Sequence, residues 1–271
     1  MFKTALVTGG NGNLGRLVAQ NLEAMGTHVV SFDLPGSEGP HCDPRHAVVL
    51  GDMRDQSLLE DTLATHKPDV VIHLASMLSG SSEANPELAW DVNASSSIRL
   101  MRHCLDRNIG PFFFASTAAT YGPDLASPVA LNTPQWPENI YGATKVAVER
   151  MGVYLKLKQG FDFRCLRFPM VLSPSAPAGA MTAYPSHAIA AAARGDNFTM
   201  PVAPSTGMST LYLNDVTRSI VEIWSAQRAA LTQQAYNLHS YVFTAQDLVE
   251  AIQSRFPDFT CSFTPGSPTD D

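Results

Sequence analysis

Short apolar segments alternate with longer amphipathic segments along the first 169 residues of the chain. The apolar segments are rich in Val, Ile and Phe and are bounded by Gly, Asp or Pro, which is typical of buried strands. They cover residues 3–8, 28–32, 47–50, 70–74, 111–115 and 163–168, and helical periodicity covers residues 14–25, 56–65, 88–107 and 141–159. This regular alternation predicts βαβ crossovers and a doubly wound α/β fold, with one parallel sheet covered on both faces.

The pattern changes after Pro169, where Pro, Gly and Ser become frequent. The elements predicted beyond this point are a helix over 187–194, a strand over 210–213 and a helix over 216–226. We expect a parallel core in residues 1–169 and, in residues 170–271, mostly a small lobe over the strand ends, with segments that return to the core. The tail from Thr264 has nothing apolar to bury, so we expect it to be frayed.

Composition narrows the class of partner. The chain has 271 residues, 45% of them hydrophobic, and 18 Lys and Arg against 25 Asp and Glu give a formal net charge of −7. A chain of this length buries a large core without disulfides or metals. It has no Lys/Arg run to bind phosphate backbones and no apolar stretch near the ~20 residues of a membrane span, so we expect neither nucleic acid nor membrane as a partner.

The first residues and the cysteines bear on localisation. The chain opens directly with a strand, so we expect no signal peptide. The four cysteines are far apart and lack CxxC spacing, as expected of reduced thiols in a cytoplasmic protein. His41, Cys42, Asp43 and His46 lie close together in a Pro- and Gly-rich stretch, but their spacing matches no zinc site, and we expect no bound metal.

A glycine-rich turn, Gly9, Gly12 and Gly15, joins the first strand to the first helix. Gly9 would form the tight turn, Gly12 would let a pyrophosphate approach the backbone, and Gly15 would let the helix pack on the strand. The unpaired N–H groups at the helix start would then meet the phosphates. Because strand, turn and helix occur in the right order, the motif predicts a dinucleotide site.

Two acidic residues follow the next strands. Asp33 ends the second strand, 18 residues after Gly15, where a carboxylate would bind the adenosine ribose. Leu34 and Pro35 are uncharged and offer nothing to a 2′-phosphate, which favours NAD over NADP; a solvated loop carboxylate is the alternative for Asp33. Asp52 follows the third strand, where it would either accept a hydrogen bond from adenine or cap the helix predicted over 56–65.

A phenol and an ammonium lie four residues apart on the fourth predicted helix, at Tyr141 and Lys145. A nearby ammonium favours the phenolate, so we expect the pKa of Tyr141 to be lowered and Tyr141 to accept an alcohol proton. Ser116 and Thr117 end a buried strand, 24 residues before Tyr141 in the case of Thr117, where a hydroxyl could orient the substrate oxygen. Alone, the Tyr/Lys pair is weak evidence for a catalytic site. It becomes strong evidence here because it follows a complete dinucleotide-binding motif and a strand that ends in hydroxyls.

Over essentially its whole length the chain resembles the extended short-chain dehydrogenase/reductase superfamily. The matching residues are Gly9, Gly12, Gly15, Asp33, His73-Leu74-Ala75, Asn93, Thr117, Tyr121-Gly122, Tyr141, Lys145 and Leu166-Arg167-Phe168-Pro169. The resemblance implies that Tyr141 is the general base, that Lys145 binds the nicotinamide ribose, and that Thr117, with Ser116 as the second choice, polarises the reacting oxygen. It makes Asn93 a supporting polar residue; a satisfied asparagine inside a helix is the equal alternative.

The same resemblance implies a set of contacts to NAD. The residues in that set are Gly9, Gly12, Asn13, Leu14, Gly15, Asp33, Asp52, Met53, Leu74, Ala75, Asn93, Tyr141, Lys145, Pro169 and Val171.

A narrower resemblance is to short-chain-type L-threonine 3-dehydrogenases, which oxidise the 3-hydroxyl of threonine with NAD to give 2-amino-3-oxobutanoate. The segments that carry it are 78–80, 83–90, 92–93, 166–169, 236–238, 243–244 and 256–259. It implies a substrate site of Ser79, Thr117, Tyr141 and Thr182, with Ser79 near the substrate carboxylate and Thr182 in a mobile loop that closes over it. A hydroxyl bonded to its own loop backbone is the alternative for Ser79.

Two departures from that family concern the substrate pocket. Its glycine-rich loop is changed over residues 177–184, and its tryptophan-bearing segment after the last strand has no counterpart before Asp271. A sugar acid or another small 3-hydroxy acid therefore stays open as the substrate.

Two other functions share the fold. A nucleotide-sugar epimerase or dehydratase usually needs a longer basic lobe, whereas the arginines after Pro169 are Arg194, Arg218, Arg228 and Arg255. A non-catalytic NAD-sensing regulator tends to lack the Tyr/Lys pair, which is present here. The superfamily commonly pairs helices like those over 88–107 and 141–159 across a two-fold axis, so we expect a homodimer, although the same apolar positions would equally face the sheet.

Overall fold

Strands and helices alternate along the chain. The structure, a computed structural model, describes residues 3–37, 43–123, 125–126, 128–177 and 180–264. Its strands are β1 (Thr4–Thr8), β2 (His28–Asp33), β3 (Ala47–Leu50), β4 (Val70–His73), β5 (Phe112–Thr117), β6 (Phe163–Phe168), β7 (Met170–Leu172), β8 (Phe198–Met200), β9 (Gly207–Tyr212), β10 (Tyr236–Asn237), β11 (Tyr241–Thr244) and β12 (Cys261–Phe263). Its helices are α1 (Asn13–Ala24), α2 (Gln56–His66), α3 (Ser79–Ala84), α4 (Pro86–Ala89), α5 (Ser96–Asp106), α6 (Ile140–Gln159), α7 (Tyr184–Arg194), α8 (Leu213–Ser225) and α9 (Ala245–Arg255).

A parallel sheet organises the core. Within the described residues it has seven strands in the order β10-β6-β5-β4-β1-β2-β3, and each neighbouring pair is parallel. The order reverses between β1 and β4, where Thr8 lies opposite His73. Ligands of open α/β sheets bind outside the carboxyl ends of the strands at such a reversal, so this edge is the place for a site.

Helices cover both faces of this sheet with apolar side chains. On one face α2, α5 and α6 contribute Leu59, Leu100 and Val148, all fully buried. On the other face α1 and α8 contribute Val18 and Ile220, also fully buried. The predicted doubly wound α/β class is confirmed.

The six strands predicted in the first 169 residues are all present, with ends that differ by at most two residues. The helix predicted over 88–107 is interrupted. It consists of α4, a π-helical segment over Trp90–Ser95, and α5. A π-helical segment widens the helix locally and is often found at functional sites. Here it carries Asn93, whose contacts are described below.

The remaining residues form a lobe with its own core. Strands β11-β9-β7 form one small sheet and β12-β8 another. Apolar residues of α7 and α9, such as Ala188 and Val249, share one core with Met200 of β8 and Met208 of β9. The predicted helix over 187–194 begins at Tyr184, and the next predicted strand and helix begin at Gly207 and Leu213. Helix α8 and strand β10 return to the core, where β10 extends the parallel sheet beside β6.

The functional division between residues 1–169 and 170–271 stays a prediction. Most of the tail that we expected to be frayed, residues 265–271, lies outside the described residues. Among the described helices, none combines the length and apolar character that a membrane span requires.

Candidate active site

The glycine turn needs its glycines. Gly9 has a φ of 69°, in the left-handed region, and its N–H donates to the Phe32 carbonyl at 2.8 Å. A Cβ on Gly15 would lie 2.1 Å from the Gly9 carbonyl oxygen, so only glycine allows α1 to start this close to β1. Gly12, just before Asn13 and Leu14 in α1, has no side chain to cap the helix. The helix start is therefore open to a phosphate, and the turn fits a dinucleotide pyrophosphate.

Asp33 is fixed beside this turn. One carboxylate oxygen accepts the Asn11 N–H at 2.8 Å and the other accepts the Leu34 N–H at 2.8 Å. The same loop is held by Arg16, which donates to the Asn11 carbonyl at 2.6 Å and to the Ser37 carbonyl at 3.1 Å. Arg16 was not predicted from the sequence, because only the residues directly after Asp33 were considered as a source of positive charge, whereas Arg16 reaches this loop from α1.

Asp52 has a different partner from the one expected of a helix cap. Its carboxylate pairs with Arg54 at 2.7 Å, and the hydrogen bonds from Arg54 lower its pKa. The cap of α2 is Asp55, whose carboxylate accepts the Leu58 N–H at 3.0 Å. Asp52 is therefore not the cap, because Asp55 stands immediately before the helix. Met53, between the two, is buried.

The segment after β4 lies against the glycine turn. The Leu74 N–H donates to the Thr8 carbonyl at 3.1 Å and the Ala75 N–H to the Thr8 hydroxyl at 3.3 Å. A Cβ on Gly9 would lie 2.8 Å from the Ala75 nitrogen. Leu74 and Ala75 thus line the same edge as the turn, as the predicted cofactor set requires.

The other two apolar members of that set continue the backbone beyond β6. Pro169 directly follows this strand, and Val171 lies in β7, opposite Leu211 of β9.

Helix α6 brings Tyr141 to this edge. Asn139 caps the helix by accepting the Gly142 N–H at 2.7 Å, and Glu83 of α3 accepts the Ile140 N–H at 2.8 Å. A Cβ on Gly142 would lie 2.1 Å from the Ala119 carbonyl oxygen, so this glycine lets the start of α6 approach the segment that follows β5. The structure therefore places Tyr141 next to the end of the strand that carries Ser116 and Thr117.

Lys145 is buried beneath Tyr141. Its ammonium donates to the Ala115 carbonyl oxygen at 3.0 Å and lies 5.4 Å from the centre of the Tyr141 ring. Burial lowers the pKa of Lys145 to about 8, against a smaller raising effect of charges that include Glu149. Burial also raises the pKa of Tyr141 to about 12. The expected lowering of the Tyr141 pKa is therefore wrong for this structure, because desolvation of the phenol dominates and Lys145 donates to a carbonyl.

The two candidate hydroxyls have different environments. Ser116 is buried and donates to the Glu149 carboxylate at 2.5 Å. Thr117 is partly exposed, and its hydroxyl oxygen accepts the Ala119 N–H at 3.2 Å. Because the Ser116 proton is engaged with a buried carboxylate, Thr117 is the better placed of the two to donate to a substrate oxygen.

Asn93 holds the loop that follows β4. Its amide oxygen accepts the Met77 N–H at 2.7 Å, and its amide nitrogen donates to the Met77 carbonyl at 3.1 Å. These paired bonds favour the interpretation as a satisfied interior asparagine. Its predicted contact with the cofactor stays a prediction.

Ser79 bonds to the residue that precedes Thr182. The Ser79 hydroxyl oxygen accepts the Met181 N–H at 3.1 Å, which places it beside the exposed Thr182. Ser79 is thus bonded to the lobe, and the alternative of a bond to its own loop is not observed. The geometry brings together the two residues that the resemblance assigned to the substrate.

A buried ion pair lies below the site. Arg167 donates to the Glu149 carboxylate at 2.7 Å and to the Tyr121 hydroxyl at 2.6 Å, and Tyr121 donates to the Asn237 amide oxygen at 3.0 Å. Burial alone would raise the pKa of Glu149, but the hydrogen bonds and charge of Arg167 hold it below its ordinary value. Sequence reasoning missed Glu149, although its position eight residues after Tyr141 places it on the face of Tyr141 and Lys145.

His73 is a second buried polar group near Lys145. Its Nδ1 lies 2.6 Å from the Thr8 hydroxyl oxygen and its Nε2 lies 2.7 Å from the Ser97 hydroxyl oxygen. Burial lowers the pKa of His73 to about 3, and the charge of Lys145 adds to the effect. A neutral ring therefore joins β1, β4 and α5 at the centre of the fold.

The suspected ligand cluster is only partly described, since His41 and Cys42 lie outside the described residues. His46 contacts Glu23 through one ring nitrogen and the Ser31 hydroxyl at 2.8 Å through the other. The part of the chain that the structure describes holds no group of three side chains suited to a metal ion.

Known proteins share this architecture. Residues 5–238 match the model of the NAD dependent epimerase/dehydratase family. An uncharacterized epimerase/dehydratase of Staphylococcus aureus (strain USA300) is 30% identical over 270 residues, which cover 97% of this chain and 83% of that protein. The structure of L-threonine dehydrogenase from Phytophthora infestans is 30% identical with a TM-score of 0.89, covering 97% of this chain and 86% of its own. The structure of a monomeric L-threonine 3-dehydrogenase of metagenomic origin is 30% identical with a TM-score of 0.88, covering 96% of this chain and 84% of its own.

The family match spans the glycine turn, Thr117 and the Tyr141/Lys145 pair. It confirms NAD as the cofactor and, with the neighbouring structures, an oxidoreductase that acts on a carbon bearing a hydroxyl group. The chain belongs to the NAD-dependent epimerase/dehydratase family, within the extended short-chain dehydrogenase/reductase superfamily.

Proposed function

We propose that the enzyme oxidises the hydroxyl of a small 3-hydroxy acid with NAD, and that L-threonine is its substrate. The observation that carries the proposal is the meeting of Tyr141 and Lys145 of α6 with Thr117 at the end of β5, beside the glycine turn. This meeting places a base, a cation and a hydroxyl donor at one edge of the sheet.

Each side chain has a role in the reaction. Thr117 donates to the substrate hydroxyl oxygen, and Tyr141 takes the proton of that hydroxyl as the carbonyl forms. Tyr141 acts from its phenolate form, so its phenol proton first leaves to solvent; with a pKa of about 12 this form is the minor one near neutral pH, and the nearby Lys145 ammonium favours it. When bound, NAD accepts the hydride that leaves the substrate carbon and becomes NADH. For L-threonine the oxidised product is 2-amino-3-oxobutanoate.

The substrate proposal rests on Ser79, on the lobe and on the two threonine dehydrogenases compared above. Ser79 accepts the Met181 N–H, and this leaves its own proton to donate to a carboxylate. Thr182 follows Met181 directly and is exposed at the same place. A carboxylate-bearing substrate would therefore meet one hydroxyl from the core and one from the lobe.

The surface charges of the lobe do not favour a nucleotide sugar. Arg194 pairs with Asp196 at 2.8 Å, Arg218 pairs with Asp215 at 3.1 Å, and Arg228 donates to a backbone carbonyl oxygen of the core. These arginines are engaged elsewhere, whereas a nucleoside diphosphate needs cations within the pocket.

NADH formation, followed by its absorbance, tests the proposal with NAD and L-threonine, with NADP and L-allo-threonine in parallel. We expect turnover with NAD and L-threonine, and we expect Tyr141→Phe to abolish it while NADH affinity is kept. Turnover by Tyr141→Phe would contradict the catalytic assignment. If the wild type binds NADH but leaves L-threonine unchanged, the substrate assignment is wrong, and sugar acids and other hydroxy acids are tested next.

The cytoplasmic location and the homodimer stay predictions. One of the compared threonine dehydrogenases is described as monomeric.

A further inference from the structure

Ser173 lies where the cofactor turn meets the lobe. Its hydroxyl oxygen accepts the Asn13 amide N–H at 2.7 Å, across 160 positions of sequence, and the Ser175 N–H at 3.2 Å. Its own N–H donates to the Ser186 hydroxyl at 3.0 Å. Ser173 is buried, with 7% of its surface exposed; its bond to Ser186 is buried, and its bonds to Asn13 and Ser175 are partly buried. Ser173 thus joins three segments: its side chain bonds to α1 and to the segment after β7, and its backbone N–H bonds to α7.

The segment that begins at Ser173 also reaches the proposed substrate site. We call residues 173–177 and 180–186 the substrate loop. The bond between Ser173 and Ser186 closes the base of this loop. At the tip, a short helical turn over Met181–Ala183 carries Thr182, and the Met181 N–H bonds to Ser79. Because the base and the tip are both held, a shift at Ser173 would move the tip relative to Ser79.

Asn13 connects this loop to the cofactor. It is the first residue of α1, so its backbone N–H is among those that the helix leaves open to the pyrophosphate. Its side chain at the same time holds Ser173. A ligand that fixes the backbone of Asn13 therefore also restricts Ser173.

We propose that Ser173 is a positioning residue that couples NAD binding at the glycine turn to the position of the substrate loop. Cofactor bound first would restrict the loop in advance, and the substrate would then spend less binding energy on ordering it. By linkage the coupling is reciprocal, so bound substrate would strengthen cofactor binding by the same factor. The substrate half of this inference rests on the function proposed above.

Hydrogen exchange with NADH alone tests the coupling without any substrate. We expect saturating NADH to slow exchange in wild-type peptides that cover residues 180–186 by about three- to tenfold, the worth of about one hydrogen bond. Ser173→Ala should bind NADH within about twofold of wild type, because Ser173 contacts the side chain of Asn13 and not the backbone N–H groups that face the pyrophosphate. The variant should nevertheless lose the NADH-dependent slowing of exchange in the loop. Ser173→Thr keeps the hydroxyl and should restore it.

Ser175→Ala is the matched control. Ser175 contributes only its backbone N–H to this network, and its side chain is exposed, so hydrogen exchange of the loop in this variant should slow on NADH addition as it does in the wild type. Three results would each overturn the inference: no slowing in the wild type, equal slowing in Ser173→Ala, or the same loss in Ser175→Ala. If Ser173→Ala lowers the temperature of thermal unfolding but leaves the NADH-dependent slowing of exchange unchanged, the role of Ser173 is only structural.

Kinetics with L-threonine then separate this inference from the proposed function. We expect Ser173→Ala to raise KM for L-threonine about three- to tenfold while kcat changes less, because the loop is placed more poorly and the reacting groups are intact. If the wild type does not oxidise L-threonine, the substrate assignment fails, whereas the exchange experiment still decides the coupling. If KM is unchanged in Ser173→Ala although the wild type turns over, the coupling is refuted.

Discussion

Neighbouring hydroxyls can have separate roles when one of them is engaged by a buried charge. Ser116 donates to Glu149, whereas Thr117 is partly exposed at the end of β5. We expect Thr117→Ala to lower kcat by about 10²–10³-fold, as the loss of a hydrogen-bond donor to a reacting oxygen does. Ser116→Ala should instead destabilise the fold by about 1–3 kcal/mol, since a buried carboxylate oxygen loses one of its two hydrogen-bond donors and keeps only Arg167.

Steady-state kinetics and urea unfolding of both variants, with Thr117→Ser as the conservative control, check this assignment. Loss of kcat in Ser116→Ala together with normal turnover in Thr117→Ala would reverse the two roles.

At the scale of secondary-structure elements, α3 links two parts of the site. Ser79 at its start holds Met181 of the lobe, and Glu83 accepts the N–H of Ile140, directly before Tyr141. We expect Glu83→Ala to lower kcat severalfold, because the first turn of α6 loses a fixed hydrogen-bond acceptor and Tyr141 is then positioned less well. A misplacement of a reacting group by 1 Å lowers rates by up to ~10²-fold, so the expected effect lies below that limit. Glu83→Gln keeps the acceptor and should stay close to wild type.

Glu87→Ala, at an exposed glutamate of the neighbouring α4, is the matched control for the kcat measurement. Equal kcat values for Glu83→Ala and Glu87→Ala would show that the contact between α3 and α6 does not position Tyr141.

Elements with a strong local pattern could be predicted from sequence, and elements that depend on distant contacts could not. The buried strands and α6 follow from apolar runs and helical periodicity. The π-helical segment at Asn93 could not be foreseen, because its paired bonds to Met77 exist only in the folded chain. Short strands such as β8 and β12 pair with each other across 60 residues, beyond the reach of local pattern.

The same distinction applies to the site. The glycine turn, Asp33 and the Tyr141/Lys145 pair carry their chemistry in residue type and spacing, so the sequence predicts them as candidate site residues. The contacts of Arg16 and the Ser173 junction depend on how loops meet, which no local spacing records.

At the scale of the whole molecule, His73 makes stability depend on pH. Its pKa falls from 6.5 to about 3 on folding because the ring is buried and lies near Lys145. Between these values the unfolded chain binds one proton more than the native protein, so the free energy of unfolding decreases as pH falls through this window. The contribution is about 1.4 kcal/mol per pH unit.

Urea unfolding at several pH values between 4 and 6 measures this slope. His73→Asn should reduce the slope by about 1.4 kcal/mol per pH unit, whatever its overall stability. Ser97→Ala disturbs the same contacts but keeps the imidazole, so its slope should match the wild type. An unchanged slope in His73→Asn would assign the acid sensitivity to other groups.

The edge strand β10 has a consequence for how the protein is made. Tyr236 and Asn237 pair in parallel with β6, and Asn237 accepts the hydrogen bond of Tyr121. A nascent chain therefore exposes the open edge of β6, with its unpaired backbone groups, until β10, which follows far behind it in the sequence, leaves the ribosome. Synthesis from the N-terminus can assemble β1 to β6 early, whereas the outer edge of the sheet and the hydrogen bond from Tyr121 to Asn237 form only once β10 has been made.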